Sequence, residues 1–126
     1  MKRILFCFSL FTLSILSACN ESTLSFSEIE NVPSDVQDKI ESNHRLQLIG
    51  GSEDIYTSYI IYRTVGKVRT DLEAQGETVK VKLDETNPQD NVSKPHAYKL
   101  TVDPEHKIIE VWINGKLTPF DSMTDF

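Results

Sequence analysis

The chain has 126 residues, with 13 Lys and Arg against 19 Asp and Glu, for a net charge of −6. A field of that sign repels phosphates, which argues against nucleic acid as a partner and against flat electrostatic docking on anionic lipid. The sequence has two cysteines, Cys7 and Cys19.

Lys2 and Arg3 give the chain a positive start, and Ile4 to Leu16 follow as an apolar run broken only by Ser9, Thr12 and Ser14. A bilayer-spanning helix needs roughly 20 apolar residues; a run of about 13 has instead the length of an export-signal core. The run closes on Leu16-Ser17-Ala18-Cys19, in which small residues suited to a peptidase cleft stand directly before a cysteine. Large residues (Leu5, Phe6) precede Cys7, so it lacks that context.

Leu16-Ser17-Ala18-Cys19 resembles the lipobox of bacterial lipoprotein precursors. The resemblance covers the first nineteen residues. It implies that residues 1–18 are a signal peptide, that a diacylglycerol is attached to the Cys19 sulfur, and that Cys19 becomes the new N-terminus. One acyl chain anchors a protein only marginally and two hold it stably, so the mature chain is expected on a membrane surface without spanning it. The expected location is the extracytoplasmic face of the cell membrane, periplasmic in a Gram-negative host. Removing 18 of 126 residues leaves 108, one domain's worth. Removing Lys2 and Arg3 from a chain of net charge −6 leaves −8. No thiol then remains for nucleophilic catalysis.

Residues 19–31, polar and rich in Ser and Glu, read as a tether ending in a strand or turn. Residues 32–126 read as a single domain. In "VPSDVQDKIES", Pro33 and Asp35 suit a first helical turn, and Val32, Val36 and Ile40 recur every four residues. The pattern predicts a short amphipathic helix over 33–43.

After it the hydrophobic period becomes two. "RLQLIGG" reads as a short strand, and "DIYTSYIIYRTV" as a central strand covered on both faces. Gly66 marks a turn or bulge. A two-residue loop at Gly76-Glu77 sets Glu73 opposite Lys80, Asp71 opposite Lys82 and Arg69 opposite Asp84, all unlike charges. Shifting the loop to Gln75-Gly76 would oppose Arg69 to Lys82, so the first register is expected. Residues 85–95 read as a polar loop. A second hairpin is expected around Glu105-His106, pairing Val102 with Ile109, Leu100 with Val111 and Tyr98 with Ile113. Asn114-Gly115 then predicts a type I′ turn. The fold class expected is α+β: one short N-terminal helix packed on a mostly antiparallel sheet of about six strands, as an open sheet or a small partly open barrel.

No phosphate loop, nucleophile elbow or zinc-protease motif is present. His44, His96 and His106 are scattered; His106 with Asp103 and Glu105 reads as a solvated turn rather than a metal site. The loop 84–91 offers oxygen ligands but lacks EF-hand spacing, so neither metal nor cofactor is expected. The residue that stands out is Trp112, on the face of its strand opposite the core. The expected registers set Lys99 on one side of it and Leu117 on the other, with Ile108 further along. Either the helix stripe covers this patch, or Trp112, Lys99, Leu117 and Ile108 form a partner-contact face. The function expected is a membrane-anchored, non-enzymatic module that binds a protein, a peptide or an envelope component. The alternative is a small cell-envelope hydrolase using Asp and Glu as acid and base.

Overall fold

The computed structural model describes residues 24–51, 55–88 and 93–124. Residues 1–18, expected as a signal peptide, and Cys19, the expected lipid-attachment site, lie outside the described residues. Nine strands and one helical turn follow in order: β1 (Ser25–Ile29), α1 (Ser34–Gln37), β2 (Leu46–Gly50), β3 (Thr57–Thr64), β4 (Gly66–Gln75), β5 (Thr78–Pro88), β6 (Lys94–Thr101), β7 (Ile108–Ile113), β8 (Lys116–Thr118) and β9 (Ser122–Thr124). They form two sheets, a first of order β1-β6-β3-β2-β9 and a second of order β4-β5-β7-β8. The α+β expectation is therefore corrected: the fold is nearly all β, with two sheets rather than one and no closed barrel.

Alternation builds the core. Leu46, Leu48, Ile60, Tyr62, Tyr98 and Leu100 of the first sheet meet Val79, Val81, Leu83, Val111 and Ile113 of the second in one buried cluster. Each strand sends every second side chain inward, so two facing sheets shed water from both inner faces at once. β3 is covered on both sides, as its unbroken apolar run suggests. Ile60 and Tyr62 enter the common core, while Tyr59 and Ile61 enter a second cluster with Val36, Ile49 and Ala97.

That second cluster is where Val32, Val36 and Ile40 go. The stripe packs against the first sheet rather than over the Trp112 patch, and the helix stops after one turn. Gln47 accounts for this. Its buried side chain accepts from the Glu41 backbone N–H at 2.8 Å and donates to the Lys39 carbonyl at 3.1 Å. Backbone groups that a longer helix would pair internally are satisfied by β2 instead.

The β4–β5 hairpin has the register set by its charges, with Arg69↔Asp84, Asp71↔Lys82 and Glu73↔Lys80 directly opposed. Gly76 takes φ +59, and Glu77 is not among the residues of positive φ, which is the type II′ geometry. Asn114 and Gly115 both have positive φ, at 51 and 81, giving the type I′ turn between β7 and β8. The register shift between Gly66 and Val68 is the bulge expected at Gly66. Two sequence expectations fail here. Residues 85–88 are not loop but the end of β5, paired back to β4. Strands β6 and β7 do not form a hairpin: β6 joins β3 and β1, whereas β7 runs parallel to β5. The turn at 103–106 carries the chain from one sheet to the other. Leu100 and Val111 still share a core, but from opposite sheets.

Candidate functional site

The helical segment lies against the first sheet, so it does not cover Trp112. Among the described residues, no helix or strand lies over the outward face of the second sheet. Across that face β5 contributes Lys80, Lys82 and Asp84, β7 contributes Ile108, Glu110 and Trp112, and β8 contributes Leu117. The central row runs Asp71, Lys82, Trp112, Leu117 across all four strands.

Trp112 is half-buried, and polar neighbours fix it. Its indole N–H donates to Glu110 Oε1 at 3.1 Å. The Lys80 ammonium sits 5.3 Å from the ring centroid, a cation–π contact. Lys82 turns the other way and pairs diagonally with Glu73 at 3.1 Å. Each contact is modest alone, but together they hold the indole in one orientation. Beside it opens a cleft of about 300 Å³ lined by Lys80, Lys82, Asp84, Trp112 and Gly115. The cleft offers an aromatic plane, two ammonium donors and one carboxylate. That set can stack a planar or sugar-like group and hydrogen-bond its rim.

Of the four residues expected to form this face, two are adjacent. Leu117 pairs directly with Trp112 and is 55% exposed. Ile108 is 47% exposed but lies at the opposite end of β7, about 13 Å along the strand. Lys99 is not part of the face at all; it belongs to β6 in the first sheet, paired with Ser27 and Tyr59. The error follows from the β6–β7 hairpin that did not form. Lys80 and Lys82 take the place assigned to Lys99, because β5 rather than β6 is the neighbour of β7.

A polar cluster absent from the sequence reading closes one end of the fold. Glu85 continues the inward series Val79, Val81, Leu83 on β5, so its carboxylate is directed between the sheets. Tyr62 donates to Glu85 Oε2 at 2.6 Å, and the Thr64 hydroxyl donates to the same oxygen. Arg45 Nη2 donates to the Tyr62 oxygen at 3.1 Å, and its guanidinium lies over the Tyr62 ring. Burial pushes the Glu85 carboxyl up, but hydrogen bonds from Thr64 and Tyr62, then the positive charge of Arg45 and the Asn114 side chain, outweigh it and hold it below the ordinary value. Burial first, and then the bond to Glu85, push the Tyr62 phenol up. A carboxylate at a core-facing position of a strand is the signal that would have found this cluster.

Asp103, Glu105 and His106 do converge, with one ligand atom from each within 4.8 Å of the others. The arrangement is that of a locked turn. The Asp103 backbone N–H donates to His106 Nδ1 at 3.2 Å, and the His106 N–H returns to the Asp103 carbonyl at 2.9 Å. His44 and His96 lie elsewhere, contacting Ser122 and Glu28 respectively. In the 84–91 segment considered for calcium, Glu85 is committed to Tyr62 and Thr64, and residues 89–91 lie outside the described residues. No family model, curated protein or solved structure matches the chain.

Proposed function

We propose that this is a lipid-anchored, extracytoplasmic binding module that holds a protein, peptide or envelope component on its Trp112 face. The anchor rests on the sequence: Lys2 and Arg3, the short apolar run and Leu16-Ser17-Ala18-Cys19. One observation carries the binding reading. A tryptophan, oriented by Glu110 and Lys80, stands on a sheet face that no described helix or strand covers, beside a cleft. Tryptophan concentrates binding energy because its large ring loses much water at little cost in conformational freedom.

The hydrolase reading needs a carboxyl held protonated near neutrality. Glu85 and Asp121 are both displaced downward from their ordinary values. For Asp121 the causes are the backbone N–H groups of Leu46 and Arg45, which donate to its carboxylate. Both carboxylates are structural acceptors. The test is purification of the intact lipidated protein from gently solubilised membranes, beside a Trp112→Ala variant shown to melt like the wild type. A partner retained by the wild type and lost by the variant supports the module. Equal retention by both removes Trp112 from the account.

A further inference from the structure

The strand registers gather the ends of the longer strands at two poles. Ser25, where β1 begins, pairs with Thr101, which pairs in turn with Thr57; Gly50 pairs with the neighbouring Ser58. The same pole therefore carries the chain's entry into the fold, the start of β3 and the end of β6. The opposite pole carries Arg45, Thr64, Glu85 and the Asn114-Gly115 turn. The two differ in chemistry. The entry pole exposes Ile55 at 83%, Met123 at 60% and Tyr56 at 37%. These three line a mostly apolar cleft of about 320 Å³ with Leu48, Val102 and Ile109, where Ser58, His106 and Lys107 supply its polar part. The far pole is occupied by the Arg45–Tyr62–Glu85 network.

We propose that the entry pole, with Ile55, Tyr56 and Met123 at its rim, is a membrane-contact surface that rests on the bilayer holding the Cys19 anchor. This inference depends on the lipid-anchor reading above. Chain length supplies the reason. Five peptide steps separate Cys19 from Leu24, a reach of at most about 17 Å even when fully extended. β5 alone, at 11 residues, is about 35 Å long. A domain longer than its leash is held with its entry pole near the lipid, and that pole carries the exposed isoleucine and methionine. Tyr56 is of the residue type that settles where an apolar body meets a wet headgroup. Contact is apolar rather than electrostatic, because a domain of charge −8 after loss of Lys2 and Arg3 from −6 is repelled by anionic lipid. The same geometry points the Trp112 half of β7 away from the membrane, toward solvent-borne partners.

The test uses the lipidated protein in nanodiscs at one copy per disc, with an environment-sensitive fluorophore on a single introduced cysteine. Ile55→Cys and Met123→Cys report from the entry pole, and Lys116→Cys from the far pole. Lipids carrying doxyl groups at the interface are expected to quench the labels at 55 and 123 at least twofold more than the label at 116. Adding Ile55→Asp to the Met123→Cys protein is expected to bring its quenching down to the far-pole level. Equal quenching at all three positions overturns the proposal. So does burial of 55 and 123 that appears only at several copies per disc, which would make a second copy the occupant. The mass of the mature N-terminus is measured on the same samples. A lipidated Cys19 with unquenched labels refutes the pole contact alone, whereas an unlipidated Cys19 refutes the anchor and the contact together.

Discussion

Tyr62 and Glu85 tie the two sheets together, the phenol of β3 donating to the carboxylate of β5 at 2.6 Å. Thr64 donates to the same oxygen, and the Glu85 backbone N–H donates to Asn114 Oδ1 at 2.8 Å. Glu85 thus accepts from the first sheet while its own strand is tied to the β7–β8 turn. The buried cluster between the sheets is apolar and non-directional, so this polar cluster fixes how the sheets align at that end.

Replacing Glu85 with Gln is expected to cost about 1.5–3 kcal/mol at neutral pH, the range for hydrogen bonds to charged groups. The folded carboxyl titrates below its ordinary 4.5. Its contribution is therefore complete above the unfolded value and is lost as pH falls through the folded one. Urea unfolding of wild type and Glu85→Gln from neutral pH down to about pH 3 reads this directly. The gap between them should narrow in acid. A gap that stays constant would mean the carboxylate charge contributes nothing.

Tyr98 presents the opposite case. Its ring stacks on Phe26 at 5.0 Å and is fully buried, yet its hydroxyl finds no hydrogen-bond partner among the described residues. Burial, with the nearby charge of Glu28, pushes the phenol well above its usual range. A buried, unpaired hydroxyl costs about 1–3 kcal/mol. Tyr98→Phe keeps the ring and is expected to raise stability by about 1 kcal/mol in chemical denaturation. A loss of stability would show that the hydroxyl is satisfied in solution.

The hairpin turn allows a cleaner measurement of backbone cost. A Cβ at Gly76 would meet no atom within 4 Å, so any penalty for Gly76→Ala comes from φ +59 alone. The left-handed conformation costs an ordinary residue roughly 1–2 kcal/mol. Gly76→Asn, which tolerates that region better, should lose less. Equal losses for the two variants would point to a side-chain rather than a backbone origin.

These particulars show what a sequence can and cannot carry. The β4–β5 register was legible because the information is local: three unlike-charge pairs and one glycine sit within 16 residues. The double burial of β3 was legible from a run that is apolar at both parities. The fate of β6 and β7 was not. Alternation says which side chains point inward, and Leu100 and Val111 do, but two sheets facing one core give the same pattern as two strands of one hairpin. The parallel pairing of β5 with β7 joins segments about 30 residues apart, and no turn chemistry announces it. For that reason the sequence pattern puts Lys99 beside Trp112, where the fold puts Lys80.

The helix is shorter than its sequence pattern for a related reason. A period of four at Val32, Val36 and Ile40 fits a helix face, and those residues are packed on one surface. What decides whether the backbone continues as helix is Gln47, which takes the hydrogen bonds of Lys39 and Glu41. That competitor lies beyond the segment itself.

The central claim is the proposal that the Trp112 face engages a partner. Photo-crosslinking in intact cells tests it most directly, with benzoylphenylalanine introduced at Leu117 beside the tryptophan or at Lys99 on the other sheet. The expected result is one discrete adduct from position 117, abolished by Trp112→Ala, and none from position 99. The same adduct from both positions, or none from 117 in a correctly folded and anchored protein, would contradict the account.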